Sequence, residues 1–138
     1  MSIDGKIKSR IDRGLLVLLG IEAGDNLDDV VWLCGKISRL RIFPDPDGLM
    51  NLSLLDINGD VLVISQFTLH ASTRKGNRPS FTRSARPESA VPLYEAFVNA
   101  LDHEVPGKVL TGIFGALMQV SLVNDGPVTI ILDTKNRE

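Results

Sequence analysis

The chain predicts a single α+β domain in which two helices pack against mainly antiparallel β-sheet. Three observations point there. Two stretches carry apolar residues at helical spacing, several short apolar or alternating stretches have strand length, and the turn signals Asp4-Gly5, Asn58-Gly59 and Gly126-Pro127 fall between them. At 138 residues one core suffices, because a chain of this size buries roughly 68% of the surface that it exposes when unfolded. The domain is therefore expected to span 1–138.

Taken in order, Lys6 to Ile11 follows the Asp4-Gly5 turn as a half-exposed strand, the second arm of a hairpin. Leu15 to Ile21 reads as a buried strand. Asn26 then serves as N-cap of a helix whose Leu27, Val30, Val31, Cys34, Ile37 and Leu40 share a face, with Asp28 and Asp29 at its positive end. Pro44 to Gly48 and Asn58-Gly59 are turns, which sets Leu52 to Ile57 beside Asp60 to Thr68 and centres the sheet on Val61 to Ile64. A second helix from Ser89 to His103 buries Leu93, Phe97 and Leu101, with Pro92 in its first turn. Two closing strands follow, Met118 to Val123 and Val128 to Leu132, on either side of Gly126-Pro127.

Composition narrows the class. Hydrophobic residues make up 43% and charged residues 23%, values of an ordinary globule without repeats or low-complexity runs. Cys34 is the one cysteine, so neither an internal disulfide nor a Cys-rich metal site can be assembled, which suits a reducing cytoplasm. The apolar run Leu15 to Ile21 is a strand long and lacks a following small-residue cleavage site, so it is read neither as a signal peptide nor as a membrane span. The net charge of −2 argues against global attraction to nucleic acid. From His70 to Arg86, however, Arg74, Lys75, Arg78, Arg83 and Arg86 stand without a single acid, a patch suited to a few phosphates. A loop of that length in a small domain is functional or mobile.

The usual hydrolytic suppliers are missing. There is no Gly-x-Ser-x-Gly elbow and no His-Glu-x-x-His, and the only histidines are His70, read as a solvated loop residue, and His103 at a helix end. No metal and no cofactor is expected. Ser65, Gln66 and Thr68 sit where the central strand runs out, a place where polar groups either cap the strand or face a ligand. Gln66 offers a donor and an acceptor and Thr68 a hydroxyl, while the N–H groups of Phe67 and Thr68 can meet a developing oxyanion. The Gly126-Pro127 step, taken alone, is a β-turn between strands.

In company these segments say more. Ser-Gln-Phe-Thr-Leu at 65–69, Arg-Lys-Gly-Asn-Arg-Pro-Ser-Phe at 74–81, Met-Asn-Leu-Ser-Leu-Leu at 50–55 and Asn-Asp-Gly-Pro-Val-Thr at 124–129 together resemble the D-aminoacyl-tRNA deacylases, in one register from about Ser2 to Asp133. The resemblance implies a cytoplasmic homodimer that hydrolyses the ester of D-aminoacyl-tRNA and of glycyl-tRNA. Its catalytic segment would be Ser65, Gln66, Phe67 and Thr68. Gly126 and Pro127 of the partner subunit would reject L-aminoacyl esters through their backbone, and Asn124, Thr129 and Met118 would contact the substrate. Arg74, Lys75 and Arg78 would hold the tRNA acceptor end. Either Thr68 or the 2′-hydroxyl of the terminal adenosine would drive the attack. Family members usually begin with a further strand whose arginine supports the Gly-Pro loop, and Met1 here falls after it. A nucleic-acid-binding module on the same fold, weak or lacking in catalysis, is the alternative.

Overall fold

A computed structural model describes residues 1–138. The elements run β1 (Ser2–Ile3), β2 (Lys6–Ile7), β3 (Gly14–Leu19), α1 (Leu27–Arg39), β4 (Phe43–Pro44), β5 (Met50–Leu52), α2 (Leu54–Ile57), β6 (Asp60–Ser65), a 3₁₀ turn (Phe67–His70), α3 (Pro87–Glu104) and β7 (Val109–Thr111). The principal sheet has the order β3-β6-β7 and is parallel throughout, with Gly14 to Leu19 opposite Asp60 to Ser65 and Val61 to Val63 opposite Val109 to Thr111. The expected mainly antiparallel arrangement is therefore corrected. Only the small pairs β1-β2 and β4-β5 are antiparallel. The physical reason is that both long connections within the main sheet carry a helix, α1 or α3, and a helical crossover returns the chain in the same direction.

The expected strand Leu52 to Ile57 is displaced by α2. Ser53 accepts a hydrogen bond from the Asp56 N–H, and Asp56 accepts one from the Ser53 N–H. This capping box winds Leu54–Ile57 into a helical turn, and Asn58 closes it in the left-handed region. The Asn58-Gly59 turn thus ends a helix and does not join a hairpin. The N-cap Asn26 is as expected, with Asp29 as its capping-box partner. α3 begins at Pro87, so Pro92 lies inside the helix and not in its first turn. β7 was not foreseen.

Central position explains the burial. Val61 and Val63 are fully buried and face α1 and α3, joining Cys34, Ile37, Phe97 and Leu101 in one core. Each such apolar side chain contributes about 1.5–3 kcal/mol on burial. Tyr94 adds a hydrogen bond from its hydroxyl to the Val63 carbonyl at 3.1 Å. Burial, with Glu104 nearby, pushes the Cys34 thiol up to about 12, so it serves as an inert core residue. β3 is an edge strand, and Leu18 on it is 44% exposed, so it is less buried than the sequence suggested. No helix is long and apolar enough to cross a membrane.

The two closing strands do not form within the chain. Gln119 bridges to Ser2, but between Gln119 and Asp133 the backbone makes no backbone–backbone hydrogen bond. Leu122, Val123, Ile130 and Ile131 are all exposed. The alternating pattern that predicts strands there is real, but a strand needs a neighbour, and none in this chain reaches it.

Candidate functional site

The site grows from the carboxyl ends of β3 and β6, where parallel sheets commonly present ligand-binding groups. The Gln66 N–H donates to the Leu19 carbonyl at 2.8 Å, the last cross-strand bond before the chain leaves the sheet. It then winds into the 3₁₀ turn, closed by the Leu69 N–H on the Gln66 carbonyl and followed by the Ala71 N–H on the Thr68 carbonyl. As first residues of that turn, Phe67 and Thr68 find no intrahelical acceptor, and their N–H groups donate to no other protein atom. The Thr68 hydroxyl lies beside them, exposed, and accepts a hydrogen bond from the Gln66 side-chain amide. No histidine, carboxylate or amine bonds to that hydroxyl.

Phe67, which the sequence also allowed as core, is 58% exposed. Its ring meets Phe81 edge-on at 5.0 Å, and its carbonyl accepts from the Ser84 hydroxyl at 2.9 Å. These contacts tie the Ser65–Thr68 segment to the long basic loop. That loop is ordered by its own pairs: Ser72 with Ser80, the Ala23 N–H with the Arg83 carbonyl, and the Ala85 N–H with the Ile21 carbonyl. Arg74, Lys75 and Arg78 project from the span between Ser72 and Ser80, are exposed, and form no ion pair.

His70 is not the solvated loop residue expected. Its Nε2 is buried and has no hydrogen-bond partner. The turn folds the ring back over the end of β3 into the space beside Gly20, where a β-carbon would lie 3.1 Å from that nitrogen and 3.2 Å from the Gln66 carbonyl oxygen. No local sequence signal announces this pairing, because Gly20 and His70 meet only after the strands are aligned.

The Asn124–Thr129 turn is shaped by its own side chains. Asn124 Oδ1 accepts from the Val128 N–H at 2.8 Å, and Asn124 Nδ2 donates to Thr129 Oγ1 at 3.1 Å. The Gly126-Pro127 bond is cis, Gly126 has φ +150, and both residues are exposed. Met118 is half-buried against Gly112. Within one chain, no hydrogen bond joins this turn to Ser65–Thr68. Two cavities lie elsewhere: about 420 Å³ between α3 and β7, around Tyr94, Glu95, Asp102 and Phe114, and about 540 Å³ between Ile7, Arg10 and the segment Gln119 to Val123.

Similarity to known proteins covers nearly the whole chain. Residues 1–133 match the family described as D-Tyr-tRNA(Tyr) deacylase. A D-aminoacyl-tRNA deacylase of Flavobacterium psychrophilum is 58% identical over 138 residues, all of this chain and 92% of that protein. One of Bacteroides fragilis is 56% identical over the same extent. Among solved structures, one described as the c-Myc DNA unwinding element binding protein superposes with a TM-score of 0.90 at 39% identity, over 96% of this chain and 89% of that one. Another, described as a probable eukaryotic D-amino acid tRNA deacylase, has a TM-score of 0.65 at 18% identity over 84% and 83% of the two chains, and shares the fold. With the family match over residues 1–133 and relatives 56–58% identical over the whole chain, the chain belongs to the D-tyrosyl-tRNA deacylase family.

Proposed function

We propose that the protein hydrolyses the ester bond of D-aminoacyl-tRNA, and of mischarged glycyl-tRNA, releasing the amino acid and free tRNA in the cytoplasm. The observation that carries this reading is the pair of unpartnered N–H groups on Phe67 and Thr68 beside the Thr68 hydroxyl. An ester carbonyl set against them becomes an oxyanion held by two backbone donors that need no rearrangement as charge develops. Relatives named D-aminoacyl-tRNA deacylase that match all of this chain and 92% of their own length support the D-aminoacyl part of it.

The attacking group on this reading is RNA-derived. A nucleophilic Thr68 needs a base to take its proton, and its partner Gln66 is an amide that donates to it and accepts no proton. Thr68 therefore orients, and the 2′-hydroxyl of the terminal adenosine assists the attack. Arg74, Lys75 and Arg78, exposed and unpaired with acids, hold acceptor-end phosphates. Chirality is read by the Asn124–Thr129 turn of a second copy, Gly126 and Pro127 presenting backbone and leaving no room for an L side chain. Asn124 and Thr129 brace that turn and, with Met118, contact the substrate. The exposed apolar residues Leu122, Val123, Ile130 and Ile131 support a homodimer, since a second copy would cover them.

The test is release of tyrosine from D- and L-tyrosyl-tRNA by the purified protein, with Thr68→Ala alongside. Hydrolysis of the D ester alone, with substantial rate remaining in the variant, supports the reading. Near-total loss in the variant makes Thr68 the nucleophile, and a fully active monomer removes the cross-subunit turn. A second reading, nucleic-acid binding without turnover, is favoured by the likeness to the DNA unwinding element binding protein. It predicts retention of tRNA or DNA on a gel and no release from either ester.

A further inference from the structure

The last residues of the chain fold back onto the start of α1. Lys135 Nζ lies 3.0 Å from Asp29 Oδ2, 3.1 Å from Asp29 Oδ1 and 3.4 Å from Asp25 Oδ1. Arg137 pairs with Asp28 at 2.9 Å, and its guanidinium carbon stands 4.9 Å from the centre of the Trp32 ring. The tail is braced internally by the Lys135 N–H on Asp133 Oδ1, the Asn136 N–H on the Asp133 carbonyl and Arg137 Nε on the Thr134 carbonyl. Asp29 is buried and also accepts from the Asn26 N–H, so the tail grips a group that already fixes the helix start.

This grip stands at the end of an arm whose backbone has little support from the rest of its own chain. From Val120 to Leu132 the backbone makes no backbone–backbone hydrogen bond, and the arm is attached at Gln119 on one side and at Leu132 and the tail on the other. The Asn124–Thr129 turn, held together internally, rides between these attachments. We propose that the tail Asp133–Glu138 is an ionic clasp, and that Lys135 and Arg137 act as positioning residues that fix the far end of the arm and so aim the Asn124–Thr129 turn. The inference rests on the reading of that turn as the chirality screen. A turn displaced by even an ångström opens the space from which the screen excludes an L side chain, which costs up to about a hundredfold in selectivity.

The test compares the wild type, Lys135→Gln/Arg137→Gln and Lys135→Arg/Arg137→Lys. Trp32, the only tryptophan, reports the clasp through its fluorescence. Thermolysin cleavage between Leu122 and Ile131 reports the arm. The glutamine variant is expected to show altered Trp32 emission, at least about fivefold faster arm cleavage, and a D-to-L ratio of kcat/KM lowered about tenfold through faster L-ester hydrolysis, all restored in the Arg/Lys exchange. The wild type in about 1 M salt should show smaller emission and cleavage changes in the same direction, since the exposed Arg137–Asp28 pair is screened there whereas Lys135 on the buried Asp29 is screened less. The salt comparison stands even if the glutamine variant fails to fold. An open clasp with unchanged cleavage, or with an unchanged D-to-L ratio, overturns the inference. A wild type inactive on both esters overturns the deacylase reading instead, and the cleavage experiment then still decides the clasp.

Discussion

Gly20→Ala tests how the Phe67–His70 turn is seated. The added methyl would stand 3.1 Å from His70 Nε2 and 3.2 Å from the Gln66 carbonyl oxygen, whereas carbon contacts are comfortable at about 3.5–4.0 Å. His70 and the turn behind it must therefore give by several tenths of an ångström. Overpacking of this kind costs about 1–3 kcal/mol, and for a domain of this size each kcal/mol lowers Tm by roughly 4 °C. Because Phe67 and Thr68 sit on the same turn, D-tyrosyl-tRNA hydrolysis should fall about tenfold or more. His70→Ala removes a ring whose buried Nε2 has no partner, so its loss of packing is offset by relief of an unmet polar group, worth about 1–3 kcal/mol. The double variant should thus recover most of the Gly20→Ala loss in both Tm and rate, a coupling of about 1–2 kcal/mol. Thermal unfolding by circular dichroism and deacylation kinetics on all four proteins measure it. Strictly additive effects would refute the claim that Gly20 exists to seat His70.

Other outcomes follow from single features. Burial alone would raise the Asp29 carboxyl, but hydrogen bonds from Thr134, the Asn26 N–H and Lys135 together outweigh it and hold the group at about 2, below its ordinary 3.8. Its stabilising effect is complete above pH 4 and fades as pH falls toward 2, so Asp29→Asn should flatten the acid limb of a pH–stability curve. An unchanged limb would contradict this. Replacing Arg74, Lys75 and Arg78 with Ala should weaken tRNA binding and reduce the salt slope by about 0.7–0.9 for each phosphate that is no longer neutralised, as measured by filter binding across salt concentrations. Ser53→Ala, which removes one arm of the α2 capping box, should cost about 1 kcal/mol in urea unfolding.

Much of the local structure was legible in the residues. Asn26 with Asp29 marked the start of α1, the apolar run Val61 to Ile64 marked the centre of the sheet, and Ser65 to Thr68 marked its polar exit. The box Ser53-x-x-Asp56 was equally visible and, read as such, would have replaced the supposed strand with α2. Strand direction was not readable, because one apolar strand serves a parallel or an antiparallel neighbour, and only the helical crossovers settle which it meets. The alternation in Met118 to Val123 and Val128 to Leu132 gives a face but no neighbour, so the sequence promised strands that the chain alone does not pair. The seating of His70 on Gly20 and the grip of Lys135 on Asp29 join residues far apart in the chain. Periodicity and capping act over a few residues and are written in the sequence, whereas contacts of that span arise only when packing brings their partners together.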